Sequence, residues 1–206
     1  MSRLTRSRGG ARLVMLPAAL LLLTACTGGT PTATEPSTPA AVVTPSPTPS
    51  PTETAAVDVT VKPTRPAALD QPPSADGAAA IAAYFMELFP YANATGDLAD
   101  WKALSHAECI FCASVITTVE TKVAAGQHDQ GGAVSITSAA GTEVNPGSFY
   151  SAKVDLTQDA SATLDASGAV VKSFPGPKTF HVDVALAWDG TAWRLREATP
   201  VEVSNP

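Results

Sequence analysis

Between Ala78 and Phe89 the apolar residues Ala78, Ile81, Tyr84, Phe85, Leu88 and Phe89 recur at intervals of three and four, which predicts a helix with one buried stripe. Ser74 stands where a helix N-cap is needed, and Pro90 either bends this helix or ends it. A short second helix is expected after Gly96-Asp97, with Leu98, Trp101 and Leu104 facing inward. A third is expected from about Cys109 to Ala125, its stripe formed by Phe111, Val115, Ile116, Val119 and Val123, with Gly126 as the stop.

After Gly131-Gly132 the period shortens towards two, punctuated at Gly141, Pro146-Gly147, Gly168, Pro175-Gly176 and Asp189-Gly190, so several antiparallel strands are expected. Thr179 to Trp188 alternates most clearly. Phe180, Val182, Val184, Leu186 and Trp188 point one way and His181, Asp183, Ala185 and Ala187 the other. Asp189-Gly190 suits a tight turn, placing Trp188 and Trp193 on one hairpin. Helices first and a meander afterwards predict an α+β domain over residues 74–206.

The chain ahead of that domain reads differently. Residues 1–12 are basic and Leu13 to Ala25 are apolar, the order of a secretory signal peptide, and the apolar run is too short for a permanent span. Leu23-Thr24-Ala25-Cys26 resembles the bacterial lipoprotein box, which makes residues 1–25 a signal peptide and Cys26 the lipidated residue. One acyl chain binds a membrane only marginally, so stable anchoring through Cys26 calls for two or three. Residues 26–73 form the expected tether: Thr27 to Pro73 holds eleven prolines and eleven threonines and too little apolar surface to fold. Within it, Val57, Val59 and Val61 alternate like a strand, but the flanking prolines favour an extended segment.

Charge narrows the function. Four arginines precede Cys26, while residues 26–206 carry nine Lys or Arg against nineteen Asp or Glu, an excess of acid that argues against nucleic acid as a partner. Three cysteines are too few for a disulfide-built miniprotein.

Four constellations carry candidate chemistry. Cys109 and Cys112 form C-x-x-C at a helix start. Export favours a local disulfide, thiol exchange is the second reading, and no βαβ pattern supports a thioredoxin-like site. His106, Cys109 and Cys112, with His128 beyond, offer N/S donors, but the spacing matches no zinc pattern and no metal is expected. His181 and Asp183 share a strand face, where an Asp-oriented base is conceivable and an outward-facing pair is the simpler account. Tyr84, Tyr91, Trp101, Tyr150, Trp188 and Trp193 either line a pocket between helices and sheet or fill the core. No G-x-S-x-G elbow, phosphate loop or calcium loop is present, so no cofactor is expected.

Tyr84-Phe85, the segment TGDLADWKALSHAECIFC and the closing VALAWDGTAWRL together resemble an uncharacterised family of actinobacterial secreted lipoproteins with a C-terminal domain of unknown function. The layout is also similar to the nuclear-transport-factor-like superfamily, whose helices pack into a curved antiparallel sheet to make a cone. The first resemblance carries no catalytic residues. The second implies a fold shared by enzymes and accessory domains alike. The expectation is an extracytoplasmic protein anchored to the outer face of the cell membrane by a lipidated Cys26, acting as a noncatalytic binding or accessory module for an envelope protein or wall polymer. An isomerase- or dehydratase-like pocket is the alternative.

Overall fold

The structure, a computed structural model, describes residues 57–203. The expected signal peptide, Cys26 and most of the expected tether therefore lie outside the described residues. Three helices, α1 (Ala75–Thr95), α2 (Ala99–Leu104) and α3 (Ile110–Ala124), are followed by seven strands. These are β1 (His128–Gly131), β2 (Val134–Asn145), β3 (Phe149–Gln158), β4 (Ser161–Leu164), β5 (Val170–Phe174), β6 (Lys178–Trp188) and β7 (Trp193–Val203). The fold is α+β, with the helices packed against antiparallel sheets.

Helix α1 begins where the sequence places it. Ser74 Oγ accepts the amide of Gly77 at 3.0 Å, a cap worth about 1 kcal/mol. The helix runs through Pro90 and ends at Gly96, whose φ of 75° gives the left-handed cap. Its stripe meets α2 in a stack of Phe85 on Trp101, centroids 3.9 Å apart. Both side chains are fully buried, about 2–3 kcal/mol each. Trp101 Nε1 donates to the carbonyl of Cys112 at 3.2 Å, so α2 is tied to the first turn of α3. In α3, Val115 and Val119 are buried as the stripe predicts, but Val123 is 55% exposed.

The strands form two sheets, ordered β2-β3-β6-β7 and β1-β4-β5. The orders correspond strand for strand: β1 leads into β2, β3 into β4 and β5 into β6, yet within none of these three pairs do the strands bond to each other. The connections are bends in three long strands, and the small sheet is the turned-away end of the large one. Gly131-Gly132, read from the sequence as the point where the strands begin, and Pro175-Gly176, read as punctuation between them, lie at two of these bends. A Cβ on Gly131 would come within 2.7 Å of Ala160 O, and one on Gly176 within 2.4 Å of Ala160 N, so close backbone approach requires glycine there.

Gly141 is a second correction. It sits inside β2 rather than at a turn, because the first turn of α1 rests on it: an added Cβ would lie 1.9 Å from the carbonyl oxygen of Ala75. The hairpin at Asp189-Gly190 matches expectation, with Trp188 opposite Trp193 in register and their rings edge to face at 5.6 Å. Trp193 also meets Tyr150 at 5.0 Å, and both are buried in the core between α1 and the large sheet.

Residues 57–73, which composition assigns to the tether, lie against the domain. Lys62 Nζ reaches Asp100 Oδ2 at 3.0 Å, and a 3-10 turn at Ala67–Asp70 lays Ala68 and Leu69 on the core. Tyr84 donates its hydroxyl to the same Asp100, and this bond, ahead of the Lys62 contact, holds the carboxyl below the usual carboxylate range. Proline content hid a segment that is fastened by one lysine and two small apolar side chains.

Candidate functional site

Where the sheet turns away, a groove of about 640 Å³ opens between α1 and α3 on one side and β1, β4, β5 and β6 on the other. Its size is that of a small-molecule site. Phe89 and Phe111 form the helical wall, and Phe174 and Phe180 the sheet wall. Phe174 and Val171 stay exposed because β5 is an edge strand with no layer over it.

Polar groups make the floor. Lys122 Nζ donates to Asp129 Oδ2 at 2.5 Å and to Asn93 Oδ1 at 2.8 Å, and the other Asp129 oxygen accepts from Thr163 Oγ1 at 2.7 Å. Asn93 Nδ2 donates to Phe89 O at 2.9 Å. Asn93 and Thr163 are buried, and the Lys122 and Asp129 side chains are 16% and 13% exposed. Four elements, α1, α3, β1 and β4, thus meet in one hydrogen-bonded cluster in which both carboxylate oxygens are occupied. An ammonium has three N–H groups, and two of those on Lys122 are used within the cluster.

An apolar recess of about 180 Å³ continues the groove, sharing Phe89, Phe111, Gln158 and Phe180 with it and adding Met86, Leu156 and Val182. The cleft is therefore polarised along its length, apolar at the recess and lined at the other end by Lys122 and Lys172.

The candidates read from the sequence lie elsewhere. Cys109 and Cys112 are at disulfide distance, Cα–Cα 5.2 Å, and both are buried. Cys109 Sγ accepts the amide of Cys112 at 3.2 Å and so caps α3. His106 faces donors at both ring nitrogens, the amide of Glu108 at 3.2 Å and Arg196 Nη1 at 2.9 Å. His128 is exposed on β1, and among the described residues no group of three metal-ligating side chains forms. His181 and Asp183 share the outer face of β6, but each pairs across to β3: His181 with Asp155, and Asp183 with Lys153 at 2.7 Å. Of the six aromatic candidates, Tyr84, Trp101, Tyr150 and Trp193 are core residues. None of the six lines the groove.

The groove residues were missed because lysine and asparagine read as surface. The signals available were Asn93, four residues after Phe89 on the α1 stripe, and Lys122, three after Val119 on that of α3.

A family model described as a family of unknown function, DUF6318, matches residues 48–199. The chain belongs to DUF6318. In this DUF6318 protein the match takes in the helices, both sheets up to Thr199 and the fastened segment from Val57. The fold is also similar to the crystal structure of the intermembrane space region of the chloroplast protein ARC6, at 10% identity and a TM-score of 0.51, over 64% of this chain and 98% of that one. At that identity the likeness speaks for the fold alone. No curated protein matches the chain by sequence.

Proposed function

We propose that this DUF6318 protein is a lipid-anchored binding module of an actinobacterial cell envelope, and that the groove under β5 is its site. On this reading residues 1–25 direct export, Cys26 carries the lipid, and the Pro/Thr-rich stretch holds the domain clear of the membrane. The sheet, with its helices on one face, is taken as a variant of the nuclear-transport-factor-like cone.

The observation that carries the reading is the cleft itself: the exposed Phe174 and the half-buried Phe89, Phe111 and Phe180 over a floor of hydrogen-bonded polar groups. An apolar surface left open beside a rigid polar cluster is the composition of a ligand site. The titratable candidates His106, His128, His181 and Asp183 stand outside it, which supports binding over catalysis. Buried sulfurs likewise disfavour thiol exchange, since a thiolate has no access to them.

The test is site-specific photocrosslinking in intact cells, with the photoreactive residue at Val171 in the groove or at Asp183 on the outer face. Adducts from Val171 and none from Asp183 support the reading. Adducts from Asp183 alone, or from neither, reject it.

A further inference from the structure

Resting on the groove as the site, we propose that its ligand is an amphipathic carboxylate, an acyl chain lying along the phenylalanines with its head group at Lys122 and Lys172.

Charge distribution supplies the first argument. Residues 57–203 hold nine Lys or Arg and seventeen Asp or Glu. Three of those nine cations, Lys122, Lys172 and Lys178, line the groove, against only two of the acids, Asp129 and Asp159. Lys122 and Lys178 are offset by Asp129 and Glu202, so the lining is near neutral on an acidic domain, and Lys172 is the cation left to draw an anion.

The state of each charge sharpens this. Asp129 is committed through both oxygens to Lys122 and Thr163. Lys178 is bonded to Glu202 at 2.9 Å. Lys172 has no carboxylate partner among the described residues and lies over the ring of Phe174, 4.6 Å from its centroid. Lys172 is in register with Thr163, whose hydroxyl bonds the Asp129 that holds Lys122, so it and the third N–H of Lys122 are the donors offered to an anionic head. Asp159, which also lines the groove, disfavours a multiply charged head such as a phosphate monoester.

The apolar recess beyond Phe89 and Phe180 fixes the rest of the ligand. Met86, Leu156 and Val182 line it and no charged residue does, so the part of the ligand entering it is hydrocarbon. A cleft apolar at one end and cationic at the other selects a molecule with the same asymmetry.

Membranes bearing the full chain can be treated with diazirine probes of equal length: photoreactive dodecanoate, dodecanol and dodecylamine. Mapping by mass spectrometry should place dodecanoate adducts on peptides containing Phe111 or Phe174, at least tenfold above the alcohol and the amine. Lys172→Gln should cut dodecanoate labelling about fivefold and leave dodecanol labelling unchanged, and Lys172→Arg should restore it. Lys172 is exposed on an edge strand, so these variants fold, which circular dichroism checks. Equal labelling by all three probes, labelling spread over the outer face, or indifference to Lys172→Gln would overturn the ligand class. No labelling by any probe would also overturn it, while Val171 crosslinks in cells would show the binding reading intact.

Discussion

Lys122 on α3 and Asp129 on β1 are joined at 2.5 Å across the turn that carries the chain from helices to sheet. This pair is where the two layers are keyed together. It is largely buried at the groove floor, so its members depend on each other: a carboxylate left without its ammonium would keep only the Thr163 hydroxyl as a partner. Lys122→Met should therefore destabilise the domain by about 3 kcal/mol in urea unfolding. Adding Asp129→Leu to that variant should recover at least half of the loss, since the orphaned charge is then gone.

The cysteine pair makes a separate prediction. Both sulfurs are buried, and one caps the helix that the pair begins. Glutathione should leave the folded protein oxidised, and alkylating reagents should label Cys109 and Cys112 only after denaturation with a reductant. A loop this short restricts the unfolded chain modestly, so Cys109→Ala with Cys112→Ala should cost about 2 kcal/mol.

Much of this architecture is legible in the sequence, and most of the exceptions share a cause. Ser74, the α1 stripe, Gly126 and the Trp188–Trp193 hairpin are local features, set by residues within a few positions of one another. Gly141 is not local: it reads as a turn because nothing nearby in sequence reveals that Ala75 lies on it. Gly141→Ala should cost about 3 kcal/mol by differential scanning calorimetry, because the obstacle is backbone and cannot rotate away.

The same holds for the site. Phe89, Asn93, Lys122, Asp129 and Phe174 come from four elements, of which only α3 and β1 are neighbours in the chain, brought together by a sheet that bends. Three broken strands produce that bend, and the sequence marks two of them with glycine, at Gly131-Gly132 and Gly176, and the third, at Asp159-Ala160, not at all. Residues 57–73 escaped for a different reason, since proline-rich composition reports what a segment cannot do by itself and not what it can be fastened to.

Acid should loosen the last hairpin first. Asp189 accepts the Thr191 hydroxyl and the amides of Thr191 and Ala192, which hold it down to about 2. Its unfolded value is about 3.9, so its contribution to stability is complete above that pH and is lost as pH falls through 2. The difference in Tm between the native chain and Asp189→Asn should be constant from pH 7 to 5, shrink between pH 4 and 2, and be lost below pH 2.

A binding module of this kind holds its ligand in the cleft beneath β5 in the cell. Native mass spectrometry of the full chain taken gently from its own membranes, beside a Val171→Asp, Phe174→Asp variant, decides this, since both side chains are exposed and their loss spares the core. The native chain should carry one additional noncovalent mass that the variant lacks. The same companion on both chains, or a bare mass for both, would contradict the groove as the binding site.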